Sequence, residues 1–435
     1  MPKAEITIKS AHLSTGHISP NMSAAVPLHP DAVSERDDLD LRQRFQSLDA
    51  LLAVHENFWK PRPFEEVLPN WRHTHPELYN AVISLSDTVV ESCSAEPARF
   101  QAIAHPFLPW LQELARASEL VAAPSRSLTF SPFDALHAPG RKWRQVTAFA
   151  AALPPLSGPV HDWCSGKGHL ARAVADANNV ELFCFELDAQ LCESGQTLAD
   201  KQKLPIRYIR QDLLQPFDSR REEYRGGWRL GLHACGQLHV NLLRASVDSA
   251  ADGVAIAPCC YHKLCLGEQY QPLSKTAREA KLTLSLKDVS LAVQETVTAS
   301  AKERAQREKE SQWRLGFDQL QRQLRSQDEY LPTPSLPKAM LNGDFNAFCA
   351  WAAREKHLTL PTDIDYSHFA ETGRSRYREV RRLELVRHLF RRPLEIWLAL
   401  DRALFLQERG YEVTVREFCS REITPRNILI TGQLL

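Results

Sequence analysis

The chain has no surplus of charge of either sign: 53 Lys and Arg face 53 Asp and Glu over 435 residues. That balance excludes a globally basic nucleic-acid binder, so any attraction for a charged partner must be built locally. The chain also lacks a run of about 18 apolar residues, so no membrane-spanning helix is expected. No basic start followed by an apolar block opens it, so residues 1–35 do not read as a secretory signal. This Ser-, Pro-, Ala- and His-rich stretch reads as a mobile tail covering residues 1–37. No internal repeat is seen. The ten cysteines are scattered, several within apolar segments, which fits a reducing, cytoplasmic setting better than a disulfide framework. The chain is too long for one simple domain and can bury a large core.

What is present is concentrated between residues 140 and 265. Val160-His161-Asp162-Trp163-Cys164-Ser165-Gly166-Lys167-Gly168-His169-Leu170 reads as strand, tight loop and helix start. Gly166 and Gly168 let backbone approach a ligand, and the following helix would aim unpaired N–H groups at it. An ordinary strand-to-helix turn uses glycines in the same way. Val180 to Phe185 forms a second apolar run ending in Glu186, about 20 residues past the loop, where such folds hold a ribose diol. Further apolar runs follow at Ile206–Arg210, then Gln211-Asp212; at Trp228–Leu232, then His233-Ala234-Cys235-Gly236; and at Gly253–Ala257, then Pro258-Cys259-Cys260-Tyr261-His262. Short strands alternating with helical patterns predict an α/β fold, a Rossmann-like parallel sheet with helices on both faces. Polar and reactive residues gather past the strand ends, where open parallel sheets bind ligands.

Around this core the chain is helical. Residues 38–136 read as a helical N-terminal region. Leu41, Phe45, Leu48, Leu51 and Leu52 share one face, and Pro106 is expected to start a helix carrying Phe107, Leu108, Trp110, Leu111 and Leu114. Trp59, Trp71 and Trp110 read as packing residues. The first part of the core spans 137–265, beginning with a helix from Gly140 that bears Arg141, Lys142 and Arg144. These three are either a solvated face or a contact for substrate phosphate. A helical insertion covers 266–372, with a charged, ion-paired helix over Glu295–Arg325. Residues 373–435 return to the core. Within them Arg374 to Arg392 is the strongly basic stretch, and its arginines, Arg381 and Arg382 among them, are expected to project outward as a nucleic-acid contact or a solvated face. Tyr377 and Trp397 are candidates for base stacking, though each is commonly a packing residue. A helix closed by Gly410, then strands at Tyr411–Phe418 and Asn427–Thr431, predict a C-terminal hairpin of the kind class I methyltransferases carry.

Asp162-Trp-Cys-Ser-Gly-Lys-Gly-His, Leu232-His-Ala-Cys-Gly, Pro258-Cys-Cys-Tyr-His-Lys-Leu and Thr424-Pro-Arg-Asn resemble one branch of the S-adenosylmethionine-dependent methyltransferases. That branch holds the methyltransferase-like twenty-five proteins and the glutathione-S-transferase-C-terminal-domain-containing protein. The His-x-Cys-Gly and Cys-Cys-x-His elements are also similar to those of tRNA 2′-O-methyltransferases acting on the acceptor stem. The resemblance implies S-adenosyl-L-methionine as cofactor. Asp162, Cys164, Gly166 and Gly168 would then form the methionine-side loop. Glu186 would meet the ribose hydroxyls, Asp212 the adenine amino group, and His233 to Gly236 would floor the site beside the methyl. It also implies an RNA acceptor, tRNA or rRNA, with a protein or small molecule as the alternative.

A sulfonium methyl is already activated, so the protein mainly aligns a nucleophile and excludes water. A hydroxyl or ring-nitrogen acceptor would profit from a base, for which His233, His262 and Lys263 are candidates. The absence of an Asn/Asp-Pro-Pro-aromatic element after the fourth strand disfavours transfer to an exocyclic amine or glutamine amide. Cys235 with Cys259 or Cys260 would instead suit covalent attack on a pyrimidine, provided one is a thiolate. Cys259, Cys260, His262 and Cys265 are candidates for metal ligands. No metal is expected, because adjacent cysteines are poor tetrahedral partners and no second pair is spaced to close a zinc site. A silent scaffold that binds cofactor and RNA without turnover stands as a different class of function. The sequence says nothing of the oligomeric state.

Overall fold

A computed structural model describes residues 40–130, 135, 138, 140–216, 224–264, 267–294 and 300–435, with Asp40–Leu435 forming one compact unit. The expected tail at 1–37 lies outside the described residues.

Seven strands form one sheet: β1 Val160–Trp163, β2 Leu182–Glu186, β3 Ile206–Arg210, β4 Trp228–Gly231, β5 Gly253–Ile256, β6 Tyr411–Glu417 and β7 Ile428–Leu434. Their spatial order is β3-β2-β1-β4-β5-β7-β6. The first five are parallel, and β7 runs antiparallel to both β5 and β6. This is the expected Rossmann-like sheet with its terminal hairpin, the arrangement of class I methyltransferases. β1, β4 and β5 are buried at every position, as strands covered on both faces must be. Strand order reverses between β1 and β4, so their carboxyl ends leave a crevice. Register places Asp162 beside Cys184 and Leu230, and Glu186 beside Arg210.

Helices cover both faces. Among the described residues, the N-terminal region holds α1 Leu41–Val54, α2 Glu56–Trp59, α3 Trp71–Thr74, α4 Pro76–Ile83, α5 Asp87–Ala95, α6 Pro97–Ala104 and α7 Leu111–Ala117. α8 (Gly140–Ala152), α9 (His169–Asn178) and α10 (Ala189–Lys201) come before β3. α11 (Gln237–Asp248) links β4 to β5. The insertion holds α12 Lys275–Arg278, α13 Leu286–Leu291, α14 Ala301–Arg325 and α15 Phe345–Glu355, followed by α16 Tyr366–His388 and α17 Arg391–Gln407. Val146, Phe149, Leu170 and Val174 of α8 and α9 share one core with Val160, Leu182, Leu230 and Ala255. Leu242 and Leu243 of α11 and Trp397 and Leu400 of α17 share the other with Val254 and Ile256. Adjacent β5 residues therefore point to opposite cores, as a pleated strand requires.

α17 carries the N-terminal helices. Phe45 and Trp397 rings lie 5.0 Å apart. Asp49 accepts hydrogen bonds from Lys281 N at 2.8 Å, Leu282 N at 3.2 Å and Trp397 Nε1 at 3.2 Å. Buried Trp397 is thus unavailable for base stacking. Three expectations need adjustment. Pro106 starts no helix: α6 ends at Ala104 and a turn leads to α7 at Leu111. Residues 120–130 form no helix: Ala122 makes an isolated parallel bridge to Glu417, and Ala123 N bonds to Glu417 O at 2.7 Å beside β6. α16 begins before residue 373 and lies along α14, where a Cβ at Gly373 would stand 2.3 Å from Gln312 O.

The arginines of α16 turn inward rather than forming an outward basic face. Arg376 bonds to Glu379 at 2.9 Å and to the carbonyls of Pro63 and Glu66 at 2.8 and 2.7 Å. Arg381 pairs with Glu91 at 2.6 Å. Arg382 pairs with Asp87 at 2.8 Å and reaches Leu85 O at 2.9 Å. Arg387 Nε donates to Trp59 O at 2.7 Å. The basic stretch is the seam that fastens α16 to the N-terminal helices. Only Arg374 and Arg378 keep about half of their side-chain surface exposed, at 49% and 47%, and both pair with Glu371.

Candidate active site

The loop between β1 and α9 takes its shape from three left-handed residues, Cys164 (φ 60°), Gly166 (φ 57°) and Gly168 (φ 69°). Its two glycines do different work. A Cβ at Gly168 would stand 2.3 Å from the Tyr208 hydroxyl, so that glycine serves packing. A Cβ at Gly166 would meet nothing within 4 Å, so this glycine borders open space. Tyr208 Oη also donates to Gly166 O at 3.3 Å. Buried Arg172 of α9 donates to Lys167 O at 2.6 Å. Glu186 completes the clamp: one carboxylate oxygen accepts from Gly166 N at 2.9 Å, the other from Leu187 N at 2.9 Å and Asp188 N at 3.0 Å. β3 continues the line, with Gln211 N on Glu186 O at 3.0 Å and Asp212 next in the chain. The ends of β1 and β2 therefore bring Gly166 and Glu186 together, while Asp212 follows β3 with its carboxylate accepting from Leu214 N at 3.0 Å; neither Glu186 nor Asp212 is among the residues lining the cleft at this loop.

A cleft of about 430 Å³ opens at this loop, lined among others by Arg141, Lys142, Asp162, Cys164, Gly166 and His233. Its floor holds an unusual charge. Asp162 Oδ2 is buried without a hydrogen-bond partner. Burial pushes the Asp162 carboxyl up to about 7, with Glu186 adding to the rise and Ser165 opposing it. A buried acid with a vacant acceptor, an open glycine and a helix N-terminus suit the ammonium and carboxylate of a bound amino acid. Glu186, tied to the same loop through Gly166 N, is a carboxylate of the kind that accepts from a diol. The donor set and the space therefore fit S-adenosylmethionine. His233 sits at the mouth with exposed surface, yet the surrounding protein and then Lys142 lower it to about 4, so it is neutral near pH 7. It is a hydrogen-bond acceptor there and a weak base.

Cys235, Cys259 and Cys260 form a second constellation, with their sulfurs all within 4.8 Å of one another. Cys235 and Cys259 Sγ are 2.7 Å apart. Hydrogen bonds from Cys235 and Cys259 hold the Cys260 thiol well below the ordinary range. Cys235 itself is pushed up to about 11: its hydrogen bond with Cys259 lowers it, but that with Cys260 and burial outweigh this. A neutral Cys235 is a poor nucleophile for a pyrimidine. His262 is half-buried with Nδ1 unpartnered, Lys263 is exposed, and Cys265 lies outside the described residues. Cys235 of the β4 loop joins the adjacent Cys259 and Cys260 in this cluster.

Tyr208 and Arg172 escaped the sequence reading. An arginine within the apolar run Leu170–Ala175 was the legible hint for Arg172; nothing local marks Tyr208. Arg381 and Arg382 do not line the cleft. A second cleft of about 370 Å³ is lined by Arg391, Arg392, Arg426, Glu395 and Glu417 among others. Glu395 there accepts from Arg392 and Arg426, both at 2.8 Å.

Residues 141–266 match a family model described as a methyltransferase domain. The matched region covers α8 and strands β1 to β5, and the sheet order is that of the Rossmann-like class I methyltransferase fold. Solved structures with local similarity include P. horikoshii TYW2 in complex with MeSAdo (17% identity, 30% of this chain, 44% of that chain, TM-score 0.21). TrmN from Thermus thermophilus gives 19% identity, 29% and 40% coverage and a TM-score of 0.22. M. capricolum TrmK in complex with S-adenosyl-homocysteine gives 15%, 28%, 52% and 0.22. The chain spans only about half, or less, of the length of these proteins. No curated protein sequence matches it.

Proposed function

We propose that the protein transfers a methyl group from S-adenosylmethionine to an acceptor held beyond the ends of β4 and β5. The observation that carries this reading is Asp162: a buried acid with an unpartnered oxygen, in a cleft whose glycine loop is tied to Glu186. The bound sulfonium supplies an electrophilic methyl. Asp162 would accept from the ammonium, Glu186 from the ribose hydroxyls and Asp212 from the adenine amino group. Cys164, Gly166 and Gly168 shape the loop, and neutral His233 accepts a hydrogen bond at the acceptor side. Isothermal titration with S-adenosylmethionine tests this. Wild type should bind, and Glu186→Ala should lose at least about tenfold in affinity through the lost loop clamp and ribose contacts. A wild-type protein that takes up no cofactor sinks the proposal.

RNA is the acceptor class we favour, on narrower support than the sequence suggested. Arg141 and Lys142 line the cleft, whereas Arg381 and Arg382 are committed to the N-terminal helices. Lys142→Glu should weaken RNA binding and flatten its salt dependence, and Arg381→Glu should leave both nearly unchanged. No loss in Lys142→Glu removes the support for RNA at this cleft, and equal loss in the two variants would return the α16 arginines to the RNA contact. Tritiated-methyl labelling of a lysate then separates RNA from protein and small-molecule products. The order of the four sequence motifs supports the methyltransferase-like twenty-five branch. The free thiols support a reducing, cytoplasmic location.

A further inference from the structure

Cys235, Cys259 and Cys260 are the group of three potential metal ligands found among the described residues. Their sulfurs come from two separate loops, one after β4 and one after β5. We propose that these three cysteines bind one zinc ion through their thiolates and leave its fourth position to water or an added thiol. Two sulfurs on one tetrahedral zinc, each at about 2.3 Å from it, stand about 3.8 Å apart. Three sulfurs already within 4.8 Å need only small side-chain rotations to reach that spacing. Cys235 and Cys259 Sγ, 2.7 Å apart, are farther apart than the about 2.05 Å of a disulfide.

The backbone is built to hold the trio. Gly236 N donates to Cys259 O at 3.1 Å, Gln237 N to Lys263 O at 2.9 Å and Lys263 N to Cys260 O at 2.8 Å. A Cβ at Gly236 would stand 2.0 Å from Lys263 O, so the β4 loop reaches the β5 loop only because that residue is glycine. Cys260 holds a left-handed φ of 48°, a conformation that costs about 1 kcal/mol or more in a non-glycine residue. That strained backbone is what turns two adjacent cysteines toward one point. His262, in the same turn, keeps a buried Nδ1 without a partner. Soft thiolates select zinc over magnesium or calcium, and three protein ligands leave a position open. Each thiol gives up its proton to the buffer as its sulfur bonds to the metal.

The inference does not depend on methyl transfer, and one preparation tests it. The full chain, purified with reductant and without chelator, should carry about one zinc per molecule. Cobalt put in its place should show thiolate charge-transfer bands and the visible bands of a tetrahedral site. Cys235→Ser, Cys259→Ser and Cys260→Ser should each lower zinc affinity by at least about tenfold, with thermal unfolding reporting whether each variant is folded. If the variants unfold, the wild-type zinc content and cobalt spectrum still decide. A wild type without zinc, zinc retained in all three variants, or a chain lighter by two hydrogens with Cys235 and Cys259 joined as a disulfide overturns the assignment. A cofactor titration on the same sample keeps this failure apart from that of the methyltransferase reading.

Discussion

Asp162 links stability, cofactor binding and pH. Its ordinary value is 3.8 and burial raises it to about 7 in the folded chain. Between those values the folded state holds a proton that the unfolded state has released. Its contribution to stability therefore falls as pH rises from about 4 to about 7 and levels off above. Asp162→Asn should remove that slope from the unfolding midpoint measured against pH. Cofactor binding carries the opposite sign, because an ammonium partner favours the ionised acid. Affinity should rise by up to about tenfold per pH unit below 7, and Asp162→Asn should flatten this rise and weaken binding. Tyr208 acts at the same scale through shape. A Cβ at Gly195 would lie 2.1 Å from its hydroxyl. Gly195→Ala should cost about 1–3 kcal/mol in denaturant unfolding and lose most of that cost in a Tyr208→Ala background.

Among the elements, α16 shows how charge can mislead. Arg381 and Arg382 pair with carboxylates that are themselves 67% and 62% exposed, so reversing either charge should cost only about 0–1 kcal/mol. Arg387 is different: its side chain is 4% exposed, beside Glu384 at 16%, and it holds the Trp59 carbonyl. Arg387→Ala leaves the buried Glu384 carboxylate with His388 at 3.3 Å and strips the Trp59 carbonyl of its side-chain donor, and should cost about 3–5 kcal/mol in the same unfolding measurement. A larger loss from Arg382→Glu than from Arg387→Ala would contradict this division between surface pairs and the buried anchor.

Across the whole molecule, α17 ties sheet, insertion and N-terminal helices together. Asp401 is fully buried and accepts from Tyr270 Oη, from Ser274 Oγ at 2.8 Å, and from the backbone of Leu273 and Ser274. The neighbouring Arg402 bonds to Tyr270 Oη at 2.5 Å and His239 at 3.1 Å. Asp401→Ala strands that guanidinium in the core and should cost about 3–5 kcal/mol. Hydrogen exchange should then quicken in residues 270–274 as well as in α17, since one carboxylate serves both. Protection lost in α17 alone would show that the insertion is held by other means.

The five parallel strands, the C-terminal hairpin and the glycine loop were legible from the sequence, because each rests on neighbours in the chain: short apolar runs, an acid at a strand end, glycines where backbone must turn. Gly166 and Glu186 meet because parallel register makes the ends of adjacent strands coincide. The destination of the arginines was decided by tertiary structure. Arg381 finds Glu91 across 290 residues and Arg382 finds Asp87 across 295, and no local pattern encodes such partners. The cysteine cluster was settled in the same way. Spacing along the chain separates Cys235 from Cys259 by 24 residues, and only the pairing of β4 with β5 sets their sulfurs side by side. Local sequence chose the elements; burial and long-range pairing chose what each charged or reactive side chain would face.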